Sequence, residues 1–197
     1  MDIDFGTYPF VTSSNATTGG VCSGTGVPPT KIKEVVAAFK AYTTRVGEGP
    51  FPTEFDKEMD QCIRNKGHEF GATTGRPRRC GWFDAVIGRY AVTINGATQL
   101  AIMKLDVLDE LEEIEIATAY KYKGKIYKDY SHDLDVLTLA KPVYEKWPGW
   151  KSSTREVRKY SKLPLAARRY IERLEELLGV PIKYISVGSK RDEIIVR

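Results

Sequence analysis

Apolar side chains recur at helical spacing in several stretches of the chain. A period of about 3.6 residues predicts amphipathic helices over 31–44, 56–65 and 82–95. A further helix, the clearest, is expected to begin near Pro164, because proline is favoured in a first helical turn, and to end at Gly179.

Short apolar runs predict the strands. Leu100–Met103 is fully apolar and predicts a buried strand, which after a helix and a short loop is typical of a doubly wound α/β unit. Residues 114–122 and 125–130 predict a hairpin that turns at Lys123-Gly124. The remaining expectations are strands at 8–11, 182–187 and 193–196, and an irregular segment at 142–153.

The segment from Thr12 to Gly26 consists largely of serine, threonine and glycine. This composition is typical of a flexible loop or linker. A strand followed by a Ser/Thr/Gly loop and a helix is also how α/β proteins present backbone N–H groups to phosphates. Both interpretations stay open at this stage.

Composition and charge exclude several classes of function. The chain of 197 residues has 30 Lys and Arg against 26 Asp and Glu, and a net charge of +4 is too weak to indicate binding of nucleic acid or a membrane surface. No apolar run approaches the roughly 20 residues of a membrane span, and the acidic N-terminus does not resemble a secretory signal. Cys22, Cys62 and Cys80 are odd in number and lack C-x-x-C spacing, so neither a disulfide framework nor a zinc site is indicated. We expect a cytoplasmic, reduced protein, in which the sequon at Asn15 is a chance match.

The loop from Gly71 to Arg79 is the most specific local signal for a binding site in the sequence. Arg76, Arg78 and Arg79 lie close together in it, and planar guanidinium groups match carboxylate and phosphate oxygens in bidentate geometry. Neighbouring arginines repel one another, which favours an anion that holds them together. The alternative is a solvated basic turn.

Two further segments follow predicted strands. Lys104-Leu105-Asp106 ends the buried run, at the kind of position where open α/β sheets bind ligands. In guanine-nucleotide proteins such a lysine lies along the base and the aspartate accepts two hydrogen bonds from it, although the tripeptide alone is a weak signal. Ser186-Val187-Gly188 follows the last long strand, where the glycine makes a turn or lets a flat ring approach the backbone.

Other candidates have simpler interpretations. His68 and His132 have no metal-ligand spacing and are expected at the surface. Asp106 and Asp109 could share a helical face, but an acidic helix start explains them better than a metal site. The tryptophans of Trp147-Pro-Gly-Trp150 are expected to form a satellite core.

Six segments together resemble adenylosuccinate synthetase in their order and spacing. They are spread along essentially the whole chain: Asp2–Asn15, Thr44–Thr53, Gly67–Arg76, Lys104–Asp109, Leu178–Ile182 and Ser186–Gly188. The family's glycine-rich G-D-E-G-K-G phosphate loop, with its catalytic aspartate and a later histidine, has no counterpart here. The resemblance is therefore to the C-terminal portion of the enzyme, and we expect residues 1–197 to form that portion of a larger single domain with a P-loop-NTPase-like mixed sheet and flanking helices.

The resemblance implies a role for individual residues. Thr12 would bind the phosphate of inosine monophosphate (IMP), Val46 would contact its ribose through the backbone, and Arg76 would bridge nucleotide and L-aspartate. A mobile loop would close over L-aspartate with Ala72, Thr73, Thr74, Gly75, Arg76, Pro77 and Arg78. GTP would be bound by Arg78, Lys104, Leu105, Asp106, Ser186, Val187 and Gly188. Met103 stands where the family usually has a small polar residue, and Ser189-Lys190 replaces a Pro-Asp pair.

The implied reaction is a GTP-driven ligation that needs Mg²⁺ in the complete enzyme, in which IMP and L-aspartate give adenylosuccinate on the route to AMP. The family is dimeric. No metal ligand or catalytic acid or base is recognised in this chain, so we expect it to be inactive alone. Two alternatives are a stand-alone, non-catalytic nucleotide- or anion-binding module and a fragment that does not fold without the missing N-terminal portion.

Overall fold

The structure is a computed structural model that describes all residues from 1 to 197. Its α-helices are α1 (Thr18–Thr25), α2 (Lys57–Gly67), α3 (Ala85–Asn95), α4 (Leu134–Leu139) and α5 (Leu165–Leu178). Its strands are β1 (Val36–Lys40), β2 (Thr43–Arg45), β3 (Arg79–Gly81), β4 (Phe83–Asp84), β5 (Gln99–Met103), β6 (Glu113–Tyr122), β7 (Lys125–Tyr127), β8 (Lys141–Pro148), β9 (Ile182–Ser186) and β10 (Ile194–Val196). Short 3₁₀ helices cover Pro29–Lys31, Leu105–Leu108 and Tyr160–Lys162. None of the helices combines the length and apolar character that crossing a membrane requires.

The main sheet has the strand order β1-β5-β9-β10. Strands β1, β5 and β9 are parallel, and β10 runs antiparallel to β9 along the edge opposite β1. Lys40 at the end of β1 pairs with Met103 at the end of β5, and Ser186 ends β9 beside them. The carboxyl ends of all the parallel strands therefore meet at one edge of the sheet.

A second sheet is centred on the long strand β6, which pairs in parallel with β4 and antiparallel with β7 and β8. Strands β2 and β3 form a separate antiparallel pair, with Arg45 opposite Arg79. Mixed sheets with flanking helices confirm the predicted α/β class.

Helix α5 covers the main sheet with one apolar face. Tyr170, Ile171 and Leu174 are fully buried in it, and the Tyr170 hydroxyl donates to the Ala41 carbonyl oxygen at 2.7 Å. Gly88 in α3 lets the two helices approach, because a Cβ at that position would lie only 2.7 Å from Cδ2 of Leu178. Gly179 ends α5 in the left-handed conformation with φ 73°, as the sequence predicts.

Most of the strongly patterned elements are confirmed. The helix predicted at 56–65 is α2, capped by the Asp56 side chain, and the helix predicted at 82–95 is α3, which begins at Ala85 after β4 and is capped by Asp84. Strand β5, the β6–β7 hairpin, β9 and β10 also lie where the pattern places them.

The helix predicted over 31–44 is wrong, because this segment forms β1 and β2. Its central residues, Val35-Val36-Ala37, are β-branched or small, and their backbone pairs with β5 across the whole of β1. Apolar positions in so short a run satisfy both the helical and the strand period.

Three further expectations are corrected. The segment 142–153 is irregular only from 149 onward, because 141–148 form β8, whose side chains largely alternate in burial along β6. Residues 8–11 form no strand but a tight turn with a single bridge between Thr7 and Phe10. Trp150 is 7% exposed and belongs to the main core rather than to a satellite core. The Ser/Thr/Gly segment also contains a helix, α1, which ends at Gly26 with φ 71°.

The packing of α5 gives a stability prediction. Leu174→Ala should reduce the free energy of unfolding by about 2–5 kcal/mol, because it leaves a cavity in a fully buried site. Leu165→Ala in the same helix is the matched control and should cost less than about 0.5 kcal/mol, because Leu165 is 54% exposed. Urea unfolding of both variants measures the difference, and equal losses would contradict the described burial of α5.

Candidate nucleotide-binding site

A cavity of about 600 Å³ opens at the edge where β1, β5 and β9 end. Among the residues predicted to bind GTP, the lining includes Lys104, Asp106, Ser186 and Gly188. Leu105 and Val187 are fully buried behind these residues and do not line it. Parallel strands therefore bring together two segments that are about eighty residues apart in sequence, which is the general position of ligand sites in open α/β sheets.

Lys104 has a left-handed backbone conformation with φ 62° and ψ 39°, which is uncommon for a residue with a Cβ. Its Nζ donates to the Gly67 carbonyl oxygen at 2.6 Å and to Oε1 of Glu69 at 2.8 Å. His68, also in the cavity lining and exposed as expected, adopts the same conformation with φ 48° where α2 ends. Residues held in sparsely populated conformations cluster at functional sites.

Asp106 lies in the first turn of the 3₁₀ helix Leu105–Leu108 after β5, and its side chain is only 7% exposed. Its Oδ2 lies 3.3 Å from Nε of Arg155, a cavity residue that sequence reasoning missed. Asp109 has a different role, because its buried carboxylate accepts hydrogen bonds from the Trp150 indole and from the backbone and hydroxyl of Thr154, each at 2.7–2.9 Å. These bonds hold the segment that carries Arg155 beside Asp106, and burial raises the pKa of Asp109.

The loop after β9 closes the opposite side of the cavity. The Ser186 hydroxyl donates to the Gly188 carbonyl oxygen at 2.8 Å, so the two residues fix one another's position. A Cβ at Gly188 would lie 2.2 Å from Oε2 of Glu193, whose carboxylate accepts from the Lys190 backbone at 2.8 Å. Glycine at this position therefore leaves room for the Glu193 side chain, and Gly188 stands in the loop that connects β9 with β10.

The arginine loop is a narrow turn that rises from its base at Phe70 and Pro77. The Gly71 backbone donates to the Arg76 carbonyl oxygen at 2.8 Å, and Gly75 at φ 65° makes the reversal. Ala72, Thr73, Thr74, Gly75, Arg76 and Pro77 are exposed at its tip. The Arg76 guanidinium has no hydrogen-bonding or ion-pair partner within the chain, whereas its backbone N–H lies 3.4 Å from the Thr74 hydroxyl.

Two of the arginines are held by carboxylates of the protein itself. Arg78 donates to Oε2 of Glu69 at 2.8 Å, and Arg79 forms a fork on Glu54 and donates to the Gly49 carbonyl oxygen at 2.9 Å. The expectation that an external anion holds the arginines together is therefore wrong for this pair, because internal counter-charges already offset their repulsion.

Glu69 connects the arginine loop with the cavity and was not identified from the sequence. Its side chain is fully buried, and it accepts hydrogen bonds from Lys40, Tyr42, Arg78 and Lys104 at 2.6–2.8 Å. Burial alone would raise the pKa of Glu69, but the four hydrogen-bond donors outweigh this effect and lower the pKa to about 2. A glutamate just beyond a helix has no periodic signal, so only the tertiary structure reveals it.

Thr12 and Val46 lie in exposed segments that Arg45 ties together. The Arg45 guanidinium donates to the Thr7 hydroxyl at 3.1 Å and, through Nε, to the Glu48 carbonyl oxygen at 3.0 Å. Because Arg45 pairs with Arg79 across β2 and β3, the Val46 loop neighbours the base of the arginine loop.

The described residues contain no group of three or more His, Cys, Asp or Glu that could hold a metal ion. All the cysteines are free. Residues 1–197 therefore offer no such cluster for the magnesium ion that the family resemblance implies.

A cavity at the carboxyl ends of parallel strands, lined by lysines and lying near a basic loop, places this chain among α/β proteins with a cavity at the usual position of ligand sites. The sequence profile of the adenylosuccinate synthetase family matches residues 1–195, and this chain belongs to that family.

Individual relatives agree with this assignment. Adenylosuccinate synthetase from Endomicrobium trichonymphae is 54% identical over 195 residues, covering 99% of this chain and 46% of the relative. The enzyme of the same name from Carboxydothermus hydrogenoformans is 53% identical, with 100% and 46% coverage. The solved structure of fully ligated adenylosuccinate synthetase from Plasmodium falciparum superposes with a TM-score of 0.96 at 44% identity, covering 100% of this chain and 47% of that one. The chain thus spans about half the length of the curated relatives it matches.

The lowered pKa of Glu69 predicts a pH dependence. A carboxylate whose pKa falls from 4.5 to about 2 on folding stabilises the folded state fully above pH 4.5, and this contribution is lost as the pH falls toward 2. The difference in unfolding free energy between wild type and Glu69→Gln should therefore be constant from pH 8 to 5 and shrink as the pH is lowered below 4.5. Urea unfolding of both proteins across this pH range measures the difference. A difference that stays constant below pH 4.5 would contradict the assigned ion pairs.

Proposed function

We propose that residues 1–197 are the C-terminal, guanine- and L-aspartate-binding portion of a GTP-dependent ligase that joins IMP and L-aspartate to give adenylosuccinate in AMP synthesis. The observation that carries the proposal is the shared cavity of Lys104, Asp106, Ser186 and Gly188, joined through Glu69 to the arginine loop.

The cavity suits guanine for chemical reasons. The Asp106 carboxylate can accept from N1–H and the 2-amino group, the one edge pattern that guanine alone presents among the common bases. Its present contact with Arg155 is a single bond at 3.3 Å to a side chain that is 63% exposed, and a base with two donors would replace it. The Lys104 ammonium is anchored at Gly67 and Glu69, so its aliphatic stem is fixed and available to lie along the base.

Two of the three residues that depart from the family pattern lie in the same cavity. Met103 and Ser189 both line it, the first from the end of β5 and the second from the loop after β9. A polarizable methionine side chain can contact the face of a base, so Met103 is compatible with a flat ligand.

The arginine loop suits a dicarboxylate. Arg76 is exposed at the loop tip and unpaired within the chain, so its guanidinium is free to form a fork on a carboxylate. Arg78, at the base of the loop, is half-buried and does not line the cavity, but Glu69 links it to Lys104, which does. Together they would gather L-aspartate and neutralise charge as phosphate leaves the purine.

Thr12, Val46 and Arg76 would contact IMP, since Arg45 and the β2–β3 pair tie their segments together. The phosphate loop, the catalytic acid and base and the magnesium ligands would come from the remainder of a full-length enzyme. We propose that this enzyme acts as a homodimer in the cytoplasm, as the family resemblance implies.

The guanine assignment predicts a specificity change in a full-length synthetase that carries residues 1–197. Asp106→Asn places an amide donor opposite a guanine donor, whereas xanthine, with a carbonyl at position 2, matches the amide. A mismatched buried polar pair costs about 1–3 kcal/mol, so the kcat/KM ratio of GTP to XTP should fall by about tenfold or more.

The control for this experiment is Asp109→Asn, whose carboxylate lies three positions further on and contacts Trp150 and Thr154 instead. Because Asp109 holds the segment that carries Arg155, this variant is expected to lower kcat/KM for both nucleotides alike and to leave the ratio of GTP to XTP near that of wild type. A ratio that Asp106→Asn does not change would refute the guanine assignment and leave the aspartate loop unaffected.

The aspartate assignment predicts a second kinetic effect. Arg76→Lys in the same full-length enzyme should lower kcat/KM for L-aspartate by an amount equivalent to about 2–4 kcal/mol, because a lysine ammonium cannot reproduce the bidentate fork. Binding of GDP, measured by calorimetry, should change little, since Arg76 does not line the cavity. Unchanged kinetics for aspartate would instead favour a solvated turn.

A further inference from the structure

The Glu69 carboxylate contacts two side chains, those of Lys104 and Arg78, that the proposed function assigns to the binding of different substrates. Lys104 belongs to the guanine cavity, and Arg78 belongs to the loop that would close over L-aspartate. We propose that Glu69 is a positioning residue that couples these two sites, so that the geometry of each depends on the same buried carboxylate. The inference rests on the function proposed above and extends it.

The two oxygens of Glu69 divide its partners. Oε1 accepts from Lys104 at 2.8 Å and from the Tyr42 hydroxyl at 2.6 Å. Oε2 accepts from Arg78 at 2.8 Å and from Lys40 at 2.7 Å. Lys104 and Arg78 form no bond with one another, so the carboxylate is their common partner.

The charge balance of this cluster makes the contacts interdependent. Lys40, Arg78 and Lys104 place three positive side chains around one negative group, so the cluster retains excess positive charge beside the cavity. When an anionic ligand binds one of these three cations, that cation competes less strongly for the Glu69 oxygens. The bonds between Glu69 and the other two cations then change as well. Burial strengthens each of these interactions, since no solvent reaches the carboxylate.

The surrounding backbone holds the carboxylate rigidly enough for this role. The Glu69 N–H donates to the Arg64 carbonyl oxygen at 2.9 Å, and its own carbonyl accepts from the Arg78 N–H at 2.9 Å. Gly67 lets the Tyr42 hydroxyl approach, because a Cβ there would lie 2.3 Å from that oxygen. Glu69 is thus fixed between the end of α2 and the base of the arginine loop.

The test is steady-state kinetics of Glu69→Gln in the full-length synthetase. The amide keeps the shape of the side chain but removes the charge and turns one acceptor into a donor that faces two cations. We expect the KM values for GTP and for L-aspartate both to rise by about tenfold or more, while KM for IMP changes less than about threefold. GDP binding by calorimetry should weaken in parallel with the KM for GTP.

The matched control is Asp84→Asn, another buried carboxylate to carboxamide change. Asp84 accepts from Tyr120 and from the first amides of α3, and from none of the cluster's cations. Whatever Asp84→Asn does to the melting temperature, it should leave all the KM values close to wild type. If Glu69→Gln lowers the melting temperature and leaves the KM values unchanged, or raises only one of the two, the coupling role is refuted.

If Glu69→Gln does not fold, Glu69→Asp replaces it. Aspartate keeps the charge but is one methylene shorter, so it cannot reach both Lys104 and Arg78, and at least one of the two KM values should rise about tenfold. Normal KM values in this variant would overturn the inference. A wild-type full-length enzyme without synthetase activity would refute the proposed function itself, whereas an active wild type with an indifferent Glu69 refutes only the coupling.

Discussion

The contact between one buried carboxylate and three cationic side chains organises the edge of the main sheet at which the parallel strands end. Without Glu69, Lys40 at the end of β1, Lys104 directly after β5 and Arg78 directly before β3 would repel one another at short range. The carboxylate lets three separate elements bring positive charge to one edge of the sheet, and its lowered pKa keeps it ionised at neutral pH.

The topology explains why that edge is also where the cavity lies. Parallel strands direct their carboxyl ends the same way, and the loops that follow β5 and β9 therefore face each other across the cavity. The buried Asp109 adds a third side, because its bonds to Trp150 and Thr154 bring a distant loop against Asp106.

The elements that could be predicted from the sequence are those with a long and unambiguous pattern. Helix α5 has a broad apolar face, a proline at its start and a glycine at its end, and the β6–β7 hairpin has its turn at Lys123-Gly124. Strand β1 could not be identified, because its apolar residues fit a helix equally well and only pairing with β5 decides between the two. Strand β8 was missed for a similar reason, since the proline at each of its ends masks a pattern that only β6 completes. Lys104 and Asp106 were predicted from their position after a buried run and both line the cavity, but Glu69 and Arg155 have no local signal and depend on contacts between residues far apart in sequence.

The left-handed backbone at Lys104 sets conformational strain against the contacts of its side chain. A glycine would adopt φ 62° without steric cost and would therefore relax the turn after β5. It would also remove the ammonium group that Glu69 and Gly67 hold in the cavity. The strained backbone at position 104 thus accompanies side-chain contacts that a glycine could not make, as is common where structure holds a residue in a sparsely populated conformation.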